Sequence, residues 1–364
     1  MPEGKGQTKR ARKSSSFKRQ KIMERVLIAL IPALLGSIYF FGWRSLAMVV
    51  WCAACASLIE YLFARRRGDP LTEAALVTST LFALSLPPTL PFWMATVGVI
   101  IGILFGKEFF GGFGRNVFNP AIVGRAFIYT CFPIAMTSKF VPVWEGFWGG
   151  FAHYGPRTTV AGMDAVSTAT PLYVFREFDI QVPLLDLFVG NIGGSFTATD
   201  GEAMAVSAGS LGEVSAVLVI LGGIYLLWTK TANWRLVLSS MVGAAAAVVV
   251  FRHLFGVALV PSLPRTFFSG ALLYACFFMV TDPVSAPKDR TAQYWYGALI
   301  GVLIVFMRWK AVFAGAVAFS ILLGNTFGPT IEMMTKAYAR RKKERRKQAA
   351  EGKGTASEAA TQGE

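Results

Sequence analysis

Apolar runs recur along this chain at lengths and spacings that a lipid bilayer explains and a soluble core does not. A helix needs roughly 17–25 mostly apolar residues to cross the hydrocarbon layer. Candidate spans fall at 26–43, 46–63, 71–86, 92–105, 120–136, 214–228, 234–254, 266–280, 294–307 and 311–327. Between the fifth and sixth lies a long amphiphilic stretch, 137–213, rich in Gly and Thr. Only 16% of the residues are charged, against about 25% in soluble domains. The expectation is an all-α polytopic membrane protein of about ten transmembrane helices.

The formal net charge of +15 first suggests a nucleic-acid partner, but its distribution excludes one. Residues 1–25 hold nine Lys/Arg against two Glu, and residues 336–364 hold nine against four, so the tails carry +12 and the body is nearly neutral. Cytoplasmic loops carry the excess of Lys and Arg. With the N-terminus inside, the inner connections are 65–67, 107–115, 230–235 and 288–290, and the tenth span returns the 340–347 cluster to the same side. Arg44 and the Arg308/Lys310 pair are the exceptions. The expected organisation is therefore a basic cytoplasmic tail (1–25), a first membrane half of five spans (26–136), an extracytoplasmic loop (137–213), a second membrane half (214–335) and a basic tail (336–364). Both tails are expected near anionic lipid. The first apolar run lacks a small-residue cleavage site and is expected to stay as an anchor.

A faint internal repeat relates 75–105 to 270–306: each reads as a span, a proline break, an aromatic pair and a glycine-spaced apolar run. The copies are five spans apart, and an odd number inverts the second copy, as in many transporters. Cys52 and Cys55 form a C-x-x-C inside a span, where two small buried residues are the simpler reading than a metal or redox site. His153 and His253 are isolated, and no cysteine cluster fits an iron–sulfur centre.

Four polar constellations remain. Gly111-Gly112-Phe113-Gly114-Arg115 leads to Asn119-Pro120, where Asn119 is placed as an N-cap and Pro120 as the first helical residue. With Arg115 and Arg125 nearby, this helix start suits an anion, and it equally suits a plain capped helix. Asp282-Pro283 marks a second break, where the acid is either functional or a structural cap. Asp164 through Ser167-Thr168-Ala169-Thr170-Pro171 lies in the outer loop and reads, on residue chemistry alone, as an ordinary Ser/Thr turn. Ser210 and Glu213, ahead of the sixth span, read as a capping box.

Taken together, Lys107-Glu108-Phe109-Phe110-Gly111-Gly112, Asn119-Pro120-Ala121-Ile122-Val123-Gly124-Arg125, Leu86-Pro87-Pro88-Thr89-Leu90-Pro91, Gly212-Glu213-Val214-Ser215 and Thr281-Asp282-Pro283-Val284-Ser285-Ala286 resemble the NqrB/RnfD family of membrane flavoprotein subunits. The resemblance runs in motif order from about residue 22 to 330. It implies a urea-transporter-like fold of two inverted five-helix repeats, in the bacterial cytoplasmic (inner) membrane. It implies a subunit of an ion-translocating oxidoreductase complex, coupling electron transfer to Na+ or H+ transport beside membrane, iron–sulfur and flavin subunits. In that family FMN is bound by a phosphoester to the last threonine of the Ser-Gly/Thr-Ala-Thr element. Here that is Thr170, with Ser167 and Thr168 in the same element and Asp164 at the position a flavin transferase recognises. A second, non-covalent flavin (riboflavin) and, in the NqrB branch, a quinone are implied near Gly111, Gly112 and Asn119, with Asp282 at the corresponding break. The sequences at 22–30 and 39–44 resemble RnfD, whereas 107–127 leans towards NqrB, and about 25 residues precede the first span where NqrB has a long extension. The rival readings are a urea-transporter-like channel or solute carrier without redox role, and a scaffold subunit without cofactor.

Overall fold

The computed structural model describes residues 17–18, 20–68, 71–158, 167–197, 203–311 and 315–361. Helices occupy most of the expected spans and end where the local chemistry ends them. α1 (Lys21–Phe41) stops at Gly42. α2 (Arg44–Arg67) closes on three arginines and then Gly68 at φ +75°, so its last turn carries the positive charge and left-handed glycine that a helix C-terminus favours. α3 (Ala74–Leu84) stops short of Pro87-Pro88, and α4 (Phe92–Gly106) begins after Pro91. α5 (Pro120–Cys131) starts with Asn119 Oδ1 accepting the Ala121 N–H at 3.0 Å, the expected cap. α6 (Pro133–Thr137) completes the fifth segment after a break at Phe132.

After α7 (Pro171–Phe178) and α8 (Leu184–Val189) in the loop, α9 (Ala216–Trp228) and α10 (Trp234–Val248) follow, the latter running into a π-helical turn, Val249–Leu254. The expected eighth span is broken into α11 (Leu263–Phe268), α12 (Leu272–Tyr274) and a π-helical turn, Ala275–Met279. α13 (Arg290–Lys310) and α14 (Ala316–Thr361) close the chain. Four stretches among the described residues are long and apolar enough to cross a bilayer: Lys21–Phe41, Arg44–Arg67, Phe92–Phe110 and Trp234–Leu254. Ala74–Leu84 and Ala216–Trp228 are apolar but shorter.

Three expectations change. The chain is not purely α-helical: β1 (Phe17–Lys18) pairs with β2 (Leu71–Thr72), and β3 (Ser167–Ala169), β4 (Ser195–Thr197) and β5 (Ala203–Val206) form a sheet in the order β3-β5-β4. The third helix therefore starts at Ala74, because residues 71 and 72 pair with the N-terminal segment. The C-terminal tail is helical too, since α14 continues through 336–361 without a break.

Glycines set the helix spacing. Between helices that share an apolar surrounding, packing relies on small residues that let backbones meet. A Cβ on Gly102 of α4 would stand 2.6 Å from the Pro120 carbonyl oxygen of α5, and one on Gly124 would stand 2.4 Å from that of Gly98. In the second half, Gly301 of α13 faces Ser240 and Ala244 of α10, and Gly243 of α10 faces Ala298. The order of packing recurs as well: α2 lies on α4 and α4 on α5, as α10 lies on α13 and α13 on α14, while α1 packs against α9.

The breaks are closed by specific donors. Where α3 ends, the carbonyls of Leu84 and Leu86 accept the N–H groups of Gly212 (2.6 Å) and Leu211 (3.0 Å), and the Tyr274 hydroxyl donates to the Leu81 carbonyl at 3.3 Å. Arg44 donates to the carbonyls of Pro88 and Leu90. Arg308 donates to the Thr266 carbonyl at 3.0 Å. The two arginines that break the charge asymmetry of the sequence thus cap carbonyls released by broken helices.

This packing sets the effect of two kinds of substitution. Gly102→Val will lower stability in detergent by about 1–3 kcal/mol, the cost of overpacking, while Gly155→Ala, with no atom within 4 Å of the added carbon, will leave the melting temperature unchanged. Asp289 caps α13 by accepting the N–H groups of Ala292 and Thr291 (2.9 and 3.0 Å), and these bonds hold its carboxyl below the usual carboxylate range. Its contribution is complete above an ordinary Asp pKa of about 3.9 and is lost as pH falls through the lower folded value. The protection factors of the 291–292 amides, taken relative to intrinsic exchange at each pH, will fall on acidification across that window, and Asp289→Ala will remove the dependence.

Candidate functional site

A cavity of about 610 Å³ lies where α5 and the 137–213 segment meet α11, α13 and α14. Its volume falls within the roughly 300–1,000 Å³ of cofactor and ligand sites. Thr170 lines it. β3 pairs in parallel with β5, Ala169 opposite Val206, and this fixes the backbone that delivers Thr170. Thr170 is then the N-cap of α7, with Pro171 at the first helical position, and its carbonyl accepts the Val174 N–H at 2.9 Å. Its side chain makes no capping bond. Among the described residues this half-buried hydroxyl has no partner, and it stands at a helix N-terminus, where free N–H groups and the helix dipole favour a phosphate.

The remaining walls are aromatic and cationic. Tyr129, Phe140, Tyr173 and Phe268 offer flat surfaces, and Arg125, Arg176 and Arg308 offer positive charge, with Glu213 as the acid. Each charged group is held by the fold. Arg125 of α5 donates to Ser210 Oγ at 3.3 Å, Arg176 of α7 to the Ala311 carbonyl at 2.7 Å, and Arg308 of α13 to Thr266. Glu213 Oε1 accepts the Ser210 N–H at 2.8 Å. The expected capping box is thus half formed, but it closes its own turn, and Ser215 is the N-cap of α9. Ser167 and Thr168 belong to β3. Asp164 lies outside the described residues.

A second cleft, of about 60 Å³, brings Asn119 and Asp282 together with Lys107 and Asn116. Asn119 Nδ2 donates to the Met279 carbonyl at 3.5 Å, and Asp282 accepts from the Val284 N–H (3.1 Å) and the Ser285 hydroxyl (2.8 Å). Both residues cap their breaks. The cleft is too small for a flavin ring as it stands. Gly111 and Gly112, at φ +94°, do not line it, and their Cα positions face the side chains of Arg115 and Arg67. Behind the cleft the sequence reading missed an ion pair: Lys107 Nζ lies 2.8 Å from Glu60 Oε2, the side chains 3% and 4% exposed. Thr72 donates to the other Glu60 oxygen at 2.6 Å, and Arg67 pairs with Glu108. Glu60 is the one acid inside the 46–63 span, and a lone ionisable residue within a span was the available signal.

Comparison with known proteins adds a family. The NQR2, RnfD, RnfE family matches residues 10–340. The chain is 32% identical over 356 residues to the D subunit of the ion-translocating oxidoreductase complex of Aeromonas salmonicida (strain A449), covering 89% of this chain and 95% of that protein. A protein of the same description from Yersinia pestis is 32% identical, covering 87% and 92%. The B subunit of the Na(+)-translocating NADH-quinone reductase of Azotobacter vinelandii (strain DJ) is 33% identical over 302 residues, covering 82% of this chain and 67% of that protein.

The Glu60–Lys107 pair gives a stability prediction. Removing one partner strands a buried charge, which costs about 3–5 kcal/mol, so Lys107→Met alone will lower the unfolding midpoint in lipid nanodiscs sharply. The double variant Glu60→Gln/Lys107→Met will recover most of the loss. A loss in the double variant equal to the sum of the losses in Glu60→Gln and Lys107→Met alone would show that the pair is not coupled.

Proposed function

Because the chain belongs to the NQR2, RnfD, RnfE family, we propose that it is the membrane subunit of an ion-translocating oxidoreductase complex and carries FMN on Thr170. It works in the bacterial cytoplasmic membrane, passing electrons between flavin and iron–sulfur subunits while Na+ or H+ crosses. The RnfD branch is preferred. The observation that carries the flavin reading is the placement of Thr170: an N-cap threonine whose hydroxyl does not cap, on the wall of a cavity of about 610 Å³.

The residues fit the group. The phosphoester would sit at the N-terminus of α7, which favours an anion. Arg176, on the same helix, adds positive charge, and the aromatic walls suit an isoalloxazine. Maturation would need a flavin transferase that engages the segment around Asp164. Thr170 Oγ would attack the FMN-side phosphorus of FAD, AMP would leave, and the hydroxyl proton would pass to a base of the transferase. When bound, the flavin supplies one-electron exchange; the protein holds it, excludes water and sets its charge environment.

The fold reading extends in the same way. Ten crossings in two inverted, urea-transporter-like halves, with both termini cytoplasmic, are supported by the recurring packing order and by the paired breaks after α3 and at α11–α12. Riboflavin or a quinone at the Asn119–Asp282 cleft would require that cleft to widen.

The test is covalent attachment. Co-expressed with a flavin transferase, the wild-type chain will give a fluorescent band on a denaturing gel, Thr168→Ala will keep it and Thr170→Ala will lose it. A dark wild-type band beside an active transferase would favour a channel or carrier without redox role. A fluorescent Thr170→Ala band would move the attachment elsewhere.

A further inference from the structure

One wall of the Thr170 cavity has a chemistry that attachment of a phosphate does not use. Arg125 from α5, Glu213 from the loop before α9 and Arg308 from α13 all border the cavity, although they are far apart in sequence. Glu213 is held by one oxygen only. Its Oε1 accepts the Ser210 N–H, while Oε2 is buried with no hydrogen-bond partner among the described residues. Arg125 gives Ser210 Oγ a hydrogen bond and Arg308 gives one to Thr266, and a guanidinium has five N–H donors. The wall therefore offers donors from two arginines and an acceptor from the acid. A carboxylate oxygen left without a donor in a low-dielectric surrounding is costly, and a ligand N–H removes that cost.

We propose that this wall reads the pyrimidine edge of the ring in the cavity, with Glu213 accepting the ring imide N–H and Arg125 and Arg308 donating to the two flanking carbonyl oxygens. An isoalloxazine presents carbonyl, N3–H and carbonyl along that edge, groups that two donors and one acceptor together would satisfy. The inference rests on the flavin reading above and goes further by assigning the residues that select and orient the ring. It also explains why the acid sits among three arginines: without it, the cavity would attract small anions indiscriminately. Glu213 is in these terms a specificity-determining residue.

Glu213→Gln is the discriminating variant, because it is isosteric. Its amide oxygen keeps the Ser210 N–H bond, and its NH2 group replaces Oε2, so a donor meets the ring N–H. In the Thr170→Ala background, which frees the cavity of covalent flavin, purified protein is titrated with riboflavin and with 3-methylriboflavin by fluorescence quenching. Riboflavin will bind about tenfold tighter or more, since the methylated analogue leaves a buried acceptor without its donor. In Thr170→Ala/Glu213→Gln that preference will vanish while the melting temperature holds. Equal binding of the two probes to Thr170→Ala, or a preference that survives Glu213→Gln, would overturn the proposal. Failure of the attachment reading appears separately, as a wild-type chain with no covalent flavin whose cavity still discriminates the two probes.

Discussion

Every backbone carbonyl released by a broken helix needs a donor wherever water is excluded, and this fold depends on how that demand is met. α3 is only 11 residues long, and the eighth segment is cut into short pieces. The loop ahead of α9 supplies the missing N–H groups, with Gly212 and Leu211 donating to Leu84 and Leu86. Gly212 is required there, since a Cβ would meet the Leu84 side chain at 2.8 Å. The same stitch carries Ser210 and Glu213 to the cavity wall. Closing the break in the first half and building the site in the second are thus one structural act.

The charged groups divide along the same lines. Arg44 and Arg308 stand where a positive-inside reading does not want them, and both spend their donors on carbonyls at breaks. Arg308 then has donors to spare for the cavity it borders. At the other break, Asn119 and Asp282 are consumed by capping, and Lys107 is tied to Glu60. One region is roomy with unspent polar capacity, and the other is tight with its polar groups committed. That asymmetry is why the flavin reading centres on Thr170.

Much of the architecture was legible in the sequence because its signals are local. Apolar length located the helices, and Asn119-Pro120 announced its own cap. The tail helix beyond 336 and the short strands were not legible: a three-residue strand such as β3 has no periodicity of its own and exists only by pairing with β5. The capping box was half legible, because Glu213 bonds Ser210 as spacing suggests but serves a turn and not α9. Thr170 could be singled out only by resemblance. That Arg125, Glu213 and Arg308 share its cavity depends on tertiary packing between distant segments, which no local pattern encodes. Glu60 was legible and overlooked.

The account stands or falls on what Thr170 carries. The direct measurement is peptide mass spectrometry on the chain purified after co-expression with an active flavin transferase. The account predicts that the peptide spanning residue 170 bears the added mass of FMN less one water, with fragment ions placing it on Thr170. An unmodified peptide, or the same mass on Ser167 or Thr168, would contradict it.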